Sequence, residues 1–362
     1  MEITEQDQVV IAQVDREEAE HQTWKKADAP IDIVRLTDSE DLDEATLCDL
    51  GFVARPKWLN WCAPTRASQQ DFEAALSGTE RRNIRLGRRT VQDEGMRIRI
   101  RKGLTEEYVD EFLTVYDRQI AGMRRGKNFA RRWRDRLLAA AGEHVGVSVH
   151  QGTTMIVGSL WWARPEPSVL QMRFSAAAPD ARSGRVMRAA YTEAFQYARD
   201  QGLTHVSLGN DPSLFGHVVQ PGLFNFKSRF GFAPVPSQVL DPSLAGEFAD
   251  RILRLDALSD PALVVTWGSH RGASPSWPDA ARKPGHDLLV LSRAPGAASA
   301  DRFRTDGFRE VRSVSVAAGG SSVTPATGRR SDGRPSGGAE RPGAGRTGQD
   351  RPDGSPDRRR RG

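Results

Sequence analysis

Polar residues able to move a proton or stabilise a charge follow one short apolar segment of the chain. They are Asn210, Asp211 and His217, and Lys227 comes further along. A carboxylate or an imidazole can accept a proton, and an ammonium is a compact charge that suits a developing oxyanion. Asp211 precedes Pro212, so its plainer role is that of a turn or capping residue. Lys227 likewise has the plainer role of a solvated side chain, so both interpretations stand at this point.

The pattern of apolar residues predicts the elements that position this group. Residues 169–177, VLQMRFSAA, have the apolar and aromatic content of a strand. Between residues 186 and 197 apolar residues recur at helical spacing, and residues 204–210 form a segment that fits a strand. A strand, a crossover helix and a second strand predict a parallel pair of strands. Its carboxyl edge, where ligands bind in such folds, would hold Asn210 and Asp211.

The order of these elements resembles the second half of an acyltransferase of the GNAT superfamily. The segment FNFKSRFGFAPV, residues 224–235, resembles the end of the FemAB-like and BioF2-like branch of that superfamily. Residues 77–100, a Ser- and Arg-rich helix followed by a strand, resemble the opening of the same branch. Together the short patterns cover residues 68–240 in a shared order. The resemblance implies an α+β (mixed α/β) class and a GNAT fold, with a central mixed sheet flanked by helices.

The resemblance also implies a reaction, the direct attack of an amine on an ester or thioester carbonyl. Both reactants would lie between two splayed parallel strands, here residues 169–177 and 205–210. The chemistry needs positioning, removal of a proton from the amine, and stabilisation of the tetrahedral oxyanion. In the FemAB-like branch a lysine in an "fK" pattern contacts the donor and supports the oxyanion, which implies that role for Lys227. Asp211 is then the candidate proton acceptor, and the candidate donor contacts beside these two are Asn210, Phe226 and Arg229.

The loop at the start of the predicted crossover helix departs from the pattern that binds coenzyme A, and this departure bears on the identity of the donor. The GNAT grip on coenzyme A has the form Gln/Arg-x-x-Gly-x-Gly/Ala, and its backbone amides hold the pyrophosphate at a helix N-terminus. With Gly184 as the first glycine, Ala181 replaces the Gln or Arg, and Val186 replaces the second small residue. Arg182 and Arg185 are still placed to meet a phosphate. The departure disfavours coenzyme A and favours aminoacyl-tRNA, the donor of better-known FemAB-like proteins.

Charge is distributed unevenly along the 362 residues. The net charge is +5, and the segment 317–362 alone carries ten arginines against five acids. Residues 1–50 carry four bases and fifteen acids, whereas residues 80–102 carry nine bases and three acids, and residues 118–136 carry eight bases and one acid. Taken one by one, these bases suit a solvated surface, but their density favours an anionic partner. Candidate contacts to the acceptor or to phosphate are Arg85, Arg88, Arg124, Arg125, Lys127, Trp162 and Arg173.

The length of the chain suffices for two domains. Gly-Phe precedes a predicted strand three times, at residues 51, 231 and 307, which suggests either related closing units or a chance recurrence. In the first case, the first and third units would pack as a partial second GNAT-like domain. The predicted division is an N-terminal partial GNAT-like segment (1–64), a central acyltransferase domain (65–240), a segment that packs with the first (241–316) and a disordered Arg/Gly/Pro-rich tail (317–362).

Several classes of function lack their motifs in this sequence. It has no nucleophile elbow of a Ser-His-Asp enzyme, no Cys or His cluster and no P-loop, so we expect no metal and no tightly bound cofactor. Cys48 and Cys62 suit a reducing compartment as small hydrophobic residues. No apolar run approaches the length of a membrane span, and the N-terminus is acidic. We therefore expect a cytoplasmic protein with no membrane partner.

The sequence thus predicts an enzyme, an N-acyltransferase that forms an amide bond on a small amine or peptide acceptor and acts as a monomer. Its donor is an anionic co-substrate, with aminoacyl-tRNA as the first choice. The alternative donors are acyl-CoA and an acyl-carrier protein, whose acidity would suit the same arginines. The alternative from a different class is a non-catalytic GNAT-like scaffold that binds an anionic partner.

Overall fold

The computed structural model describes residues 1–123, 125–181, 184–273, 276–294, 300–316 and 329–330, and residues 1–330 form one compact unit. Arg124, Arg182 and the predicted disordered tail, except for residues 329 and 330, lie outside the described residues. The strands are β1 (Glu2–Gln6), β2 (Val9–Val14), β3 (Ile33–Leu36), β4 (Val53–Pro56), β5 (Trp58–Pro64), β6 (Arg97–Lys102), β7 (His144–Gln151), β8 (Thr154–Arg164), β9 (Val169–Ala177), β10 (His205–Pro212), β11 (Leu214–Phe215), β12 (Ala233–Pro236), β13 (Glu247–Ile252), β14 (Ala262–Thr266), β15 (Asp287–Ser292), β16 (Glu310–Ser315) and β17 (Arg329–Arg330). The α-helices are α1 (Arg16–Glu20), α2 (Glu44–Asp49), α3 (Gln69–Ala74), α4 (Gly78–Asp93), α5 (Glu106–Ala121), α6 (Phe129–Arg132), α7 (Arg134–Ala139), α8 (Arg185–Asp200), α9 (Pro221–Arg229) and α10 (Asp279–Arg282).

The central sheet has seven strands in the order β12-β5-β10-β9-β8-β7-β6. β9 and β10 pair in parallel, whereas β10 with β5 and β9 with β8 pair antiparallel, so the sheet is mixed. One apolar core joins this sheet to α8, and a second joins it to α5. The predicted mixed α/β class, with a central mixed sheet flanked by helices, is confirmed.

The crossover helix α8 has the composition that this position requires. Its buried residues fall at the predicted helical spacing, and several are alanines. The short alanine side chains allow α8 to approach the sheet closely. α4 crosses α8 at Gly87, where an added Cβ would lie 2.1 Å from the carbonyl oxygen of Arg185. Gly87 is therefore the residue that lets the two helices touch at the start of α8.

Two further five-stranded sheets complete the fold, in the orders β1-β2-β3-β13-β4 and β11-β14-β15-β16-β17. β13 lies between β3 and β4, so a strand from residues 241–316 completes a sheet built mostly by the first 64 residues. The strands that follow the three Gly-Phe pairs, β4, β12 and β16, lie in three different sheets. The proposed domain boundaries and the internal repeat both remain predictions.

The alternating bulk of residues 53–64 predicts a single strand, but the structure divides these residues between two sheets. They form β4 in the N-terminal sheet and β5 in the central sheet, with Lys57 between them. Pro56 has no N–H to donate and ends β4, and the backbone N–H of Lys57 bonds to Gly246 instead. A pattern of alternation is the same on both sides of such a switch, so it could not reveal the change of sheet.

A buried ion cluster connects the N-terminal sheet to the end of β10. The carboxylate of Asp250, on β13, accepts hydrogen bonds from Arg35 at 2.7 Å and from Arg55 at 2.6 Å. Arg55 also donates to the Ser213 hydroxyl at 2.9 Å, and Ser213 directly follows β10. Burial alone would raise the pKa of Asp250, but the charges of Arg55 and Arg35 outweigh it and hold that pKa below its ordinary value.

A fully buried imidazole, that of His286, contacts the third sheet. The Nδ1–H of His286 donates to the Thr266 carbonyl at 2.8 Å, and among the residues described its Nε2 has no hydrogen-bond partner. The ring of His270 lies 4.8 Å away. Burial and the neighbouring His270 lower the pKa of His286 from 6.5 to about 3. The imidazole is therefore neutral in the folded chain throughout the physiological range.

We expect His286 to make the fold acid-sensitive. Below pH 6.5 the unfolded chain binds a proton at this residue and the folded chain does not, so stability falls as pH falls. Between pH 7 and pH 5 the loss should be about 2 kcal/mol. Urea unfolding at a series of pH values measures it. His286→Asn keeps a donor for Thr266 and should remove this part of the slope, so an unchanged slope in the variant would contradict the assignment.

Candidate active site

The parallel strands β9 and β10 separate part of the way along their length. They pair at three positions, which end at Gln171 and Ser207. Beyond these residues β9 continues beside β8 and β10 continues beside β5. We call the region after Gln171 and Ser207 the seam. It corresponds to the splayed pair of strands that the sequence predicts.

Gly209 permits the backbone geometry at the seam. It lies at an irregularity in the pairing of β10 with β5, and its φ is +75°. An added Cβ would lie 2.8 Å from the carbonyl oxygen of Met172 on β9. Both the left-handed backbone and the close approach favour glycine here, since other residues pay a steric penalty in this region.

Lys227 and Asp211 meet at this seam. Lys227 lies on α9, and its Nζ donates to the Asp211 carboxylate at 2.7 Å and to the Leu208 carbonyl at 3.1 Å. Leu208 is the first residue of β10 beyond the last pair with β9. The side chains of Lys227 and Asp211 are only 4% and 8% exposed. An ammonium has three N–H donors, so one remains beyond these two contacts. The structure therefore brings together the two residues that the sequence singled out for catalysis.

Asn210 is held by a relay of buried polar groups. The Gly209 N–H donates to the Ser207 hydroxyl, which in turn donates to the side-chain oxygen of Asn60. The amide of Asn60 donates to the side-chain oxygen of Asn210 at 2.6 Å, and the Ser237 hydroxyl donates to the same oxygen at 3.1 Å. Since two donors occupy the oxygen of Asn210, its own amide N–H groups are left to donate elsewhere.

The start of α8 is organised by Arg188. Gly184 is the N-cap, with a left-handed φ of 70°, and Arg185 follows it exposed to solvent. Arg188 donates to the Gly184 carbonyl at 2.9 Å and forms an ion pair with the buried Glu80 of α4. Val186, which replaces the second small residue of the coenzyme A loop, is buried in the core.

The two remaining candidate donor contacts lie along α9. Phe226 packs against Phe230 in a stacked arrangement, and the Arg188 guanidinium lies 4.7 Å from the centre of its ring. Arg229 is exposed, and its guanidinium donates to the carbonyl of Arg302 at 3.4 Å. Phe226 therefore connects the helix of Lys227 to the start of α8. The guanidinium of Arg229 instead contacts Arg302, a residue between β15 and β16.

Trp161 and Trp162 face opposite sides of β8. Trp161 is fully buried in the core, whereas Trp162 is partly exposed and donates to Glu143 at 3.0 Å. The guanidinium of Arg173, on β9, lies 5.8 Å from the Trp162 ring centre and 4.9 Å from that of Trp133. Trp162 and Arg173 thus lie side by side near the seam, on the face opposite α8.

The basic candidates on α4 have described contacts other than the seam residues. Arg85 is exposed on α4, and Arg88 forms an ion pair with Glu73 of α3 at 2.8 Å. These contacts fix Arg88 between two helices and leave Arg85 at the surface. Neither residue is brought into contact with Lys227 or Asp211 by a described hydrogen bond.

The basic loop after α5 contacts the turn between β1 and β2. Arg125 donates to the His217 carbonyl at 3.2 Å, and Lys127 pairs with Asp7 at 3.0 Å. His217, a weaker candidate base, donates its Nε2–H to the Asp7 carbonyl at 2.9 Å. Burial lowers the pKa of His217. The contact of these bases with an anionic ligand remains a prediction, since their described partners belong to the chain itself.

Sequence reasoning missed several polar residues beside the seam. Tyr191 of α8 is buried and bonds through its hydroxyl to the Ser175 hydroxyl at 2.8 Å, and burial raises its pKa to about 12. Asn60 and the Glu80–Arg188 pair were also missed. Asn60 carries a signal that could have found it, because a polar residue stands between bulky apolar neighbours in the strand β5. Tyr191 carries no such signal, because a tyrosine at this position also fits the apolar stripe of α8.

Within the described part of the chain, no helix is long and apolar enough to span a bilayer. No family model matches this sequence, and no curated protein matches it.

Several solved structures are similar to this chain at low identity. FemX is 14% identical with a TM-score of 0.40, over 68% of this chain and 81% of FemX. The C-terminal domain (DUF2156) of a putative lysylphosphatidylglycerol synthetase from Agrobacterium fabrum is 14% identical with a TM-score of 0.36, over 70% of this chain and 80% of that one. L-PGS from Bacillus licheniformis is 13% identical with a TM-score of 0.34. The match covers 58% of this chain and 64% of L-PGS, so this chain spans less than two thirds of the length of L-PGS.

Shorter matches include a putative acetyltransferase of the GNAT family from Desulfovibrio desulfuricans. It is 16% identical with a TM-score of 0.25, over 29% of this chain and 69% of that chain. FemX and this putative acetyltransferase of the GNAT family are both among the solved structures that match the chain at low identity.

Proposed function

We propose that this chain is an N-acyltransferase that forms an amide bond on an amine acceptor at the seam between β9 and β10. The observation that carries the proposal is the buried ammonium of Lys227 at the point where the two strands separate. A positive charge in a site that excludes water stabilises a developing oxyanion far better than it would in bulk solvent.

Lys227 is the proposed oxyanion-stabilising residue. Two of its donors hold Leu208 and Asp211, and the third would bind the carbonyl oxygen of the donor as it becomes negative. The carboxylate of Asp211 balances the positive charge of Lys227 and orients its ammonium group. This ion pair favours a role for Asp211 in orienting the Lys227 ammonium, rather than a role as the general base.

Asn210 is the proposed second donor to the reacting carbonyl. Its oxygen is occupied by Asn60 and Ser237, so its amide N–H groups are directed away from that relay. An amide oriented before the substrate arrives needs no reorganisation when charge develops. Asn60 and Ser237 would then be positioning residues, because they act through Asn210.

Aminoacyl-tRNA is the proposed donor, bound as a co-substrate with no tightly held cofactor. Gly184 and Arg185 at the start of α8 offer backbone amides and a positive charge to a phosphate. The buried Val186 departs from the small residue that the coenzyme A loop uses. Acyl-CoA and an acyl-carrier protein are the competing donors.

The acceptor is proposed to enter on the face of the sheet that carries Trp162 and Arg173. Arg173 lies against two indole rings and, among the described residues, forms no ion pair with a carboxylate. A guanidinium stacked in this way remains able to bind an anionic group of an acceptor. The acceptor is therefore proposed to be a small amine or peptide that also carries a carboxylate or phosphate.

Thermal unfolding of the full chain distinguishes the donors. A ligand that binds the folded state alone raises the melting temperature. We expect bulk charged tRNA to stabilise the chain at low salt, and the effect to fade at higher salt because phosphate contacts release counter-ions. Acetyl-CoA and longer acyl-CoAs should have no effect.

Two matched variants sharpen this measurement. Arg185→Ala should weaken stabilisation by charged tRNA, whereas Arg16→Ala, on the distant helix α1, should leave it unchanged. Stabilisation by acyl-CoA and none by charged tRNA would overturn the choice of donor. No stabilisation by either ligand would favour a carrier-protein donor or the binding scaffold.

A further inference from the structure

A cavity of about 830 Å³ opens at the surface beside the loop between β11 and α9. Its walls come from the turn into β2, the loop after α5, the loop before α9 and residues 254–259. Apolar side chains provide much of the lining. Leu258 is buried and Val10 is half-buried, whereas Met123 and Val218 at the rim are 50% and 41% exposed. The cavity is large enough for a small organic molecule and has apolar surface to hold it.

One wall of this cavity carries the buried carboxylate of Asp32, which is 5% exposed. Its Oδ2 accepts a hydrogen bond from the backbone N–H of Val10 at 2.9 Å. Among the residues that the structure describes, no Lys, Arg or His side chain forms an ion pair with it. A buried carboxylate without a cation is costly, so a ligand that supplies a positive charge would be bound favourably.

The other charged groups around the cavity are engaged with the protein. Asp256 forms ion pairs with Arg254 and with Arg293. Both Nη atoms of Arg125 donate to protein oxygens, those of His217, Gln8 and Ala257. These three oxygens are uncharged, and the buried Nε of Arg125 has no hydrogen-bond partner among the residues described. Asp32 is therefore the carboxylate of the described lining that no described Lys, Arg or His side chain pairs with.

We propose that this cavity binds the ammonium group of an alkylamine, with Asp32 as its counter-ion. The apolar part of the ligand would lie against Val10, Leu258 and the rim residues Met123 and Val218. An ammonium suits the position because it is a compact donor that can bind a carboxylate at the end of an apolar channel.

This site is distinct from the seam. Gln220 lines the cavity and is the N-cap of α9, whereas Lys227 lies near the other end of that helix. At 1.5 Å per residue the two are separated by about 10 Å along the helix axis. The inference therefore does not depend on the proposed acyl transfer, and each can fail without the other.

Isothermal titration of the full chain with hexylamine at pH 7.5 tests the proposal. We expect hexylamine to bind, and 1-hexanol and hexanoate, which have the same chain length without the ammonium, to bind at least tenfold more weakly. Asp32→Asn keeps an acceptor for Val10 and should weaken hexylamine at least tenfold. Asp256→Asn, at a paired carboxylate that lines the same cavity, should weaken it less than threefold.

A second variant protects the test if Asp32→Asn does not fold. Val218→Trp, at an exposed rim residue, fills the entrance and should also reduce hexylamine binding. The proposal is overturned if hexylamine does not bind, if hexanol binds as tightly, or if a folded Asp32→Asn binds hexylamine as the wild type does.

Discussion

Lys227→Met should slow acyl transfer at saturating donor by about 10²–10³-fold, the usual cost of removing one oxyanion donor. Methionine has a similar length and no charge, so the variant removes the ammonium and leaves much of the packing of α9. The loss should appear in kcat more than in KM, because the interaction strengthens as the oxyanion forms. Hydroxamate formation from the acyl donor and hydroxylamine, measured above the uncatalysed rate, gives the readout.

The single variant leaves the buried Asp211 without its partner, so its folding needs a control. Lys227→Met combined with Asp211→Asn removes both charges, and replacing both members of a buried pair is often tolerated. We expect the double variant to unfold near the wild-type temperature and to remain inactive. Lys102→Met, at an exposed lysine of β6, should keep full activity. A folded double variant with wild-type activity would show that Lys227 has a structural role alone.

Asp250→Asn should lower the free energy of unfolding by about 3–5 kcal/mol, the cost of leaving a buried charge without its partner. The carboxylate of Asp250 binds Arg35 and Arg55 together, and Arg55 is itself buried. Without that carboxylate two guanidinium groups would repel each other in a site that excludes water. Urea denaturation measures the change.

A matched surface pair provides the comparison for Asp250. Asp279 pairs with Arg282 at 3.0 Å, and both side chains are largely exposed. Asp279→Asn should therefore change the unfolding free energy by about 0–1 kcal/mol. Equal effects of the two substitutions would mean that the buried cluster contributes no more than an ion pair in water. Because Arg55 also holds Ser213 after β10, Asp250→Asn should reduce activity as well.

The elements around the seam could be predicted from the sequence because their signals are local. The helical spacing in α8 and the compact apolar segments of β9 and β10 match the structure. Lys227 and Asp211 could be placed at one edge because a parallel pair of strands directs its carboxyl ends to the same side. Their direct contact depends on how α9 returns to the sheet, which spacing alone does not specify.

The residues that the sequence did not predict depend on distant contacts. Asp250 binds Arg35 and Arg55 only because β13 inserts between β3 and β4. Arg188 finds Glu80 because Gly87 lets α4 touch the start of α8. Periodicity reports which face of an element is buried, but it does not report which partner that face meets.

The start of α2 shows the same limit at short range. In residues 39–50, SEDLDEATLCDL, the pattern predicts a helix capped by Ser39, but α2 begins at Glu44 with Asp43 as its N-cap. Asp43 accepts a hydrogen bond from the Thr46 N–H at 2.7 Å. Two residues of the preferred capping types stand close together, and the sequence offered no means to choose between them.

Single-turnover transfer from labelled bulk aminoacyl-tRNA, with the full chain in excess and hydroxylamine as acceptor, tests the central claim most directly. The wild type and the Lys227→Met/Asp211→Asn variant would be compared, with labelled acetyl-CoA as a parallel donor. We predict that the wild type accelerates loss of label from tRNA well above background, and that the double variant does so at least about 10²-fold more slowly. Equal rates for the folded double variant and the wild type would contradict an acyltransferase centred on Lys227, whereas no acceleration with either donor would exclude both aminoacyl-tRNA and acetyl-CoA as its donor.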